Sequence, residues 1–187
     1  MGLSGWRVFA IHKDNIERFE DISGLNQLSK QTAGQGIGWS DTQVLEDAGI
    51  AVQQTSKLQN LFRMAEKKRF DFLPLGAHGI FATFAGAENL APNVVVEEKL
   101  LLIYPFARLF FVHKDNEVLH NIVRKGLLAA FYNGRFEQLF KSFPGHQALF
   151  DKVNLSARRQ IRIENRHLTK KFRQIPSEFF FSLEQVR

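Results

Sequence analysis

The sequence contains no cysteine, which excludes disulfides, thiolate nucleophiles and cysteine-held metals at once. The redox compartment stays open, because a chain without disulfides can live in either. Tryptophan and tyrosine are scarce at two each against 19 phenylalanines, so the aromatic content is mostly core filling. Long hydrophobic runs are missing too. The longest, over residues 100–112, is broken by Pro105 and Arg108 and is too short to span a bilayer. The opening Met1-Gly2-Leu3-Ser4-Gly5-Trp6 lacks a basic region followed by an apolar one, so no export signal is read there, and Trp6 breaks the myristoylation pattern.

What is present fits a folded domain. The 187 residues suffice for one domain of ordinary size or two small lobes, and 44% hydrophobic with 24% charged residues is the balance of a soluble globular chain. The net charge of +6 is concentrated late, in Arg158, Arg159, Arg162, Arg166, Lys170, Lys171 and Arg173. Neither aromatic stacking platforms nor a reading helix accompanies this cluster, so it is expected to be a solvated face or a surface crossing, and no nucleic-acid partner is expected.

Along the chain, strand and helix signals alternate. Residues 6–12 are rich in strand formers and end at the turn-like Lys13-Asp14-Asn15. A short helix is expected over 25–30, a strand over 32–35, a helix over 42–48 stopped by Gly49, and a strand over 50–54. Thr55 or Ser56 would then cap a helix with Leu58, Leu61, Phe62 and Ala65 on one face. A buried strand over 70–74 and a helix over 77–85 follow, and Val94, Val95 and Val96 begin an extended return through Tyr104 to Val112. Residues 108–116 repeat the pattern of 7–15, with His-Lys-Asp-Asn identical, which predicts two like strands each leading to a helix start. Beyond Asn116 the expectation is helical, with Leu119, Ile122, Val123, Leu127 and Ala130 on one face, then turns over 136–143 and 146–153. Phe179, Phe180, Phe181 and Leu183 in a last short helix need an apolar partner that is not obvious in the chain. The alternation predicts an α/β fold with partly parallel strands.

The stretch Gly34-Gln35-Gly36-Ile37-Gly38-Trp39-Ser40-Asp41-Thr42 joins a strand to a helix start. Glycine permits close approach to a ligand, and Ser40, Asp41 and Thr42 are good N-caps, so the stretch reads as a ligand cradle or as a tight turn with an ordinary cap. Catalysis finds little support: Gly38-Trp39-Ser40-Asp41-Thr42 lacks the second glycine of a nucleophile elbow. The histidines at 12, 113, 120, 146 and 167 are scattered, His78 has no His or acid partner four residues on, and each is expected at the surface or at an interface. No enzyme activity, cofactor or metal is expected.

With these elements in order, the chain resembles the type 2 periplasmic solute-binding proteins, and within them the amino-acid (family 3) binding components of ABC transporters. The resemblance runs through residues 7–13, Ile22-Ser23-Gly24-Leu25, 34–42, 61–72 with Lys68-Arg69-Phe70-Asp71, 104–116, and 126–140 with Asn133-Gly134-Arg135-Phe136. It implies that residues 1–112 form the second, α/β lobe with hinge-flanking strands, and that 113–187 is a mainly helical segment that would complete the first lobe. It further implies capture of a small polar solute in an inter-lobe cleft, with delivery to an ABC permease and a periplasmic location if the full-length protein carries a signal peptide. By the same resemblance Gly38, Trp39, Ser40, Asp41 and Thr42 meet the solute and Tyr104 lies near the crossing between lobes.

Two departures shape that expectation. Met1 falls where the second lobe would begin, so the chain reads as truncated, with apolar surface left open to self-association. Leu75-Gly76 stands where amino-acid binders usually carry an Asp for the ammonium, which argues against an amino acid as solute. A ligand-sensing domain or a vestigial fragment of the same fold is the alternative reading.

Overall fold

In β1 (Trp6–His12), inward and outward positions are both apolar except for Arg7 and His12, the pattern of a strand covered on both faces. The computed structural model describes residues 2–143, 146, 149 and 152–182 and places this strand inside one mixed sheet. The chain continues through α1 (Ile16–Glu20), α2 (Leu25–Leu28), β2 (Ala33–Gly36), α3 (Asp41–Asp47), β3 (Val52–Thr55), α4 (Leu58–Glu66), β4 (Phe72–Gly76) and α5 (Ile80–Ala85). After these come β5 (Val94–Val96), β6 (Leu100–Ile103), α6 (Glu117–Tyr132), α7 (Arg135–Ser142), β7 (Arg159–Arg162) and α8 (Lys170–Arg173). The sheet order is β3-β2-β4-β1-β6-β7, with β5 also paired to β1.

Strands β2, β3 and β4 are parallel, as are β6 and β7, while β1 runs antiparallel to β4, β5 and β6. All strands except β1 therefore point the same way. Their carboxyl ends gather at one edge of the sheet beside the start of β1. From β2 the chain passes outward to β3 and then back across to β4, so the crossover reverses direction between β2 and β4. Helix α3 packs through Val44 and Leu45 on one face, and α4 packs through Leu61, Phe62 and Ala65 on the other.

Two cores result. On the α3 face, Phe9, Phe19 and Phe72 are fully buried and meet ring to ring at 4.7–6.2 Å. Each such burial is worth roughly 1.5–3 kcal/mol, with about 0.5–1.5 kcal/mol more for a well-placed aromatic pair. On the α4 face, Val8, Ala10, Leu73, Leu101 and Trp6 meet Phe62 and Leu61.

The alternation is as expected, and several details differ from the sequence reading. The helix at 58 follows Lys57 with no side-chain cap, so neither Thr55 nor Ser56 caps it, and Leu58 is exposed. The extended return ends at Ile103. Residues 104–112 form no strand, because among the described residues no strand pairs with them, and Phe110 and Phe111 are left 75% and 89% exposed. The repeated His-Lys-Asp-Asn does repeat locally. His12 and His113 each accept at Nδ1 from the amide two residues on, at 3.2 and 3.4 Å, just before a helix begins. His12 itself is buried rather than at the surface.

The basic segment holds a strand that its lack of period concealed. β7 pairs in parallel with β6 and buries Ile161, so the sheet takes in residues from both sides of the boundary expected at 112. Arg158 is not solvated. Its guanidinium donates to the carbonyls of Val153, Glu97 and Leu100 at 2.7–3.0 Å and stands 3.6 Å from the Glu97 carboxylate. Burial lowers the Arg158 pKa and raises that of Glu97 despite their pairing, so desolvation dominates at this join.

The tail finds partners after all. Phe181 packs edge-on against Trp6 at 5.1 Å and Phe179 against Phe131 at 4.7 Å. Its helix is a single 3-10 turn, Ser177–Phe179. Met1, Leu183 and much of the 146–153 stretch lie outside the described residues. Helices α6 and α7 form as their periodicity predicts, with Gly134 left-handed between them, yet neither buries a residue.

Candidate functional site

Where a doubly wound chain reverses its crossover direction, the loops at the carboxyl ends of the two flanking strands part and leave a crevice for a ligand. Here that place lies between the ends of β2 and β4. Two turns frame it: residues 37–40 lead into α3, and residues 77–79 lead into α5. Glycine is required in the first turn on two counts. Gly38 has φ +81, a conformation side chains rarely adopt, and a β-carbon at Gly36 would run into the Trp39 ring.

The turn carries its side chains to opposite faces. Trp39 folds back over Gly36 onto the α4-face core and is half-buried. Asp41, in the first turn of α3, drops onto the α3 face and is buried there with Thr42. Gly38 and Ser40 stay exposed between them. Ser40 occupies the cap position of α3 without a side-chain cap bond, so the expected capping by Ser40 is not made. The Trp39 amide donates to the Gly36 carbonyl at 3.0 Å and the Thr42 amide to the Trp39 carbonyl at 3.2 Å. Those two N–H groups are spent inside the turn.

Beside this switch point lies a buried polar network. Asp41 Oδ1 accepts from both the Arg7 guanidinium and the Tyr104 hydroxyl, and Arg7 Nε donates to the same hydroxyl at 2.8 Å. Tyr104, immediately past β6, is fully buried, and the Arg7 and Asp41 side chains keep only 13% and 11% of their exposure. Burial works against the Arg7 charge, but Tyr104 and Asp41 more than offset it, and its pKa stands above the ordinary value. Burial pushes the Tyr104 phenol up, further from ionisation. The network therefore combines one cation, one carboxylate and a neutral phenol, held away from water.

The predicted residues thus divide. Asp41 and Tyr104 come together, Thr42 follows Asp41 in the chain, Trp39 packs on the other face, and Gly38 and Ser40 are exposed in the turn between. Sequence reasoning missed Arg7, which binds across 34 and 97 positions. A signal was available: Arg7 shares its side of the strand with Phe9 and Ile11, where a charge demands a buried partner.

His78 adds a second flank. Gly76 pairs in register with Arg7, and a β-carbon there would stand 3.2 Å from His78 Nδ1 and 3.6 Å from Arg7 Nη1. Burial first, then the charges of Arg108, His146 and Arg7, pull the His78 pKa down to about 4. Its Nδ1, with Gln35 Oε1 and Thr42 Oγ1, is buried without a hydrogen-bond partner among the described residues. Also among those residues, no group of three His, Asp or Glu side chains is placed to hold a metal, and no helix is long and apolar enough to cross a membrane.

No protein-family model matches the chain, and no curated protein matches it significantly. Several solved structures resemble it. An ancestral arginine-binding protein bound to arginine is 18% identical over 74% of this chain and 60% of its own, with a TM-score of 0.48. The L-cystine solute receptor of Neisseria gonorrhoeae is 14% identical over 76% of this chain and 58% of its own, at 0.44. An ancestral cyclohexadienyl dehydratase is 11% identical over 73% of this chain and 56% of its own, at 0.37. The chain is similar to each over about three quarters of its length and spans less than two thirds of theirs.

Proposed function

We propose that the chain captures a small polar solute in the crevice between the carboxyl ends of β2 and β4, as the binding component of an ABC-type uptake system. Gly38, Trp39, Ser40, Asp41 and Thr42 form one wall of the site. Tyr104 and Arg7 support that wall from below by fixing Asp41. In this reading residues 1–112, with β7 added to their sheet, act as the second lobe and the helices within 113–187 contribute to a first lobe, with a permease as partner and the periplasm as location in a longer protein.

The observation that carries this reading is the coincidence of two features at one place. The crossover reverses direction between β2 and β4, the kind of place where open α/β sheets take ligands, and the carboxylate–guanidinium–phenol network anchors the turn beside it. The polar groups of the network are engaged with one another, which suits holding a turn in place for binding. Asp41 is committed to Arg7, so it is not free to pair with a solute ammonium. Screening a metabolite library by thermal shift tests the proposal. Stabilisation by a solute should be lost or reduced in Trp39→Ala and Ser40→Ala; equal stabilisation in both variants removes the wall from the account.

A further inference from the structure

A groove of about 320 Å³ runs along α4 beside the end of β3, lined by Thr55, Asn60, Arg63, Met64, Lys67 and Arg69. Its cations arrive by two routes. Asn60, Arg63 and Met64 of α4 and Lys67 at its C-cap recur at i, i+3, i+4 and i+7, so they share one stripe next to the buried stripe of Leu61, Phe62 and Ala65. Arg69 lies outside the helix and is folded back to it. Lys68 is left-handed, with φ 51; its amide donates to the Ala65 carbonyl at 3.0 Å and the Arg69 amide to the Met64 carbonyl at 2.9 Å. Glycine or asparagine usually takes that helix-closing position. Here the Lys68 ammonium pairs with Asp14 across the chain, and the turn sets Arg69 beside Met64.

The carboxylates closest in sequence are committed elsewhere. Glu66 accepts from the Asn93 amide at 2.9 Å and from its side chain at 2.6 Å, and Asp71 accepts from Arg18 at 2.6 Å and from the Thr32 amide at 2.8 Å. Among the described residues, Arg63, Lys67 and Arg69 have no carboxylate partner; Arg63 donates only to Asn60 Oδ1, at 3.2 Å. Three uncompensated cations around a shallow, open depression raise the local positive potential. Guanidinium forks match the paired oxygens of carboxylate and phosphate, and Met64 gives the groove an apolar flank.

We propose that this groove binds a small molecule carrying two or more anionic groups, phosphate or carboxylate. It lies on the α4 face of the sheet, opposite the face that holds Asp41 and Tyr104, and its Thr55 borders the 37–40 turn, where the Ile37 amide donates to the Thr55 carbonyl at 3.0 Å. Isothermal titration of the 187-residue chain with pyrophosphate, and separately with citrate, at about 0.15 M ionic strength tests it, and the two arms tell a phosphate ligand from a carboxylate one. Saturable binding of at least one is expected, weakened about tenfold or more in Arg63→Gln and in Arg69→Gln. Arg162→Gln, an exposed cation on β7 at the far edge of the sheet, should bind as the parent does. All three positions are exposed, and circular dichroism checks that the variants stay folded. Three results would each overturn the proposal: no binding of either anion, equal weakening by Arg162→Gln, or tighter binding of a single-stranded oligonucleotide that is indifferent to Arg63.

Discussion

Asp41→Asn isolates the network under the crevice. In the parent, one carboxylate oxygen accepts from both Arg7 and Tyr104, with each ionic side chain nearly nine-tenths buried. The amide keeps the shape but removes the charge, so the Arg7 guanidinium is left buried without a counter-ion. Breaking one partner of a buried pair costs about 3–5 kcal/mol, and the slight exposure of both side chains puts the expectation at about 3 kcal/mol. With a urea dependence of about 2 kcal/mol per M, the unfolding midpoint read by circular dichroism falls by about 1.5 M. Tyr104→Phe removes one hydroxyl from the same cluster and should cost about 1–3 kcal/mol, and the double variant should cost less than the sum because the groups share one atom. Asp14→Asn provides the control. Its pair with Lys68 is half-exposed on both sides, and the midpoint should not move. A midpoint for Asp41→Asn that matches Asp14→Asn would refute a buried, paired network.

The folded-state pKa of His78 stands at about 4, below the ordinary 6.5, so the unfolded chain takes up a proton first as pH falls. The contribution of neutral His78 is present above about pH 6.5 and lost progressively down to about pH 4; solvent screening holds it to about 1–2 kcal/mol. A thermal-unfolding series across that window should flatten in His78→Gln, and an unchanged slope would contradict the assignment. A further prediction concerns the exposed apolar side chains Val118 and Ile122 of α6, Leu139 of α7 and Phe143 just past it, together with Phe110 and Phe111. Light scattering should read a mass above 21.5 kDa that rises with concentration, and a constant monomer mass at high concentration would show that this surface tolerates water.

Much of the fold was legible because it is written in local periodicity. The stripe of Leu61, Phe62 and Ala65, the left-handed Gly49 that closes α3, and the apolar run into β4 each announce an element within a few residues. The failures share a cause: pairing and burial are decided by distant segments. Leu109-Phe110-Phe111-Val112 has the composition of a strand, but no neighbour offers it an edge. Arg159-Gln160-Ile161-Arg162 has the composition of a solvated face, yet β6 takes it as an edge strand with Ile161 inward. The site divides the same way. The glycine turn could be found from its own residues, whereas Arg7 gains its role only when β1, α3 and the end of β6 meet.

The account rests on solute capture at the crevice between β2 and β4. Amide chemical-shift mapping with a solute found by thermal shift tests it most directly, since every turn that frames the crevice reports its own signal. The account predicts shifts concentrated in residues 36–42 and 76–79, and their disappearance in Trp39→Ala. Shifts confined to other parts of the chain, or left intact in Trp39→Ala, would contradict it.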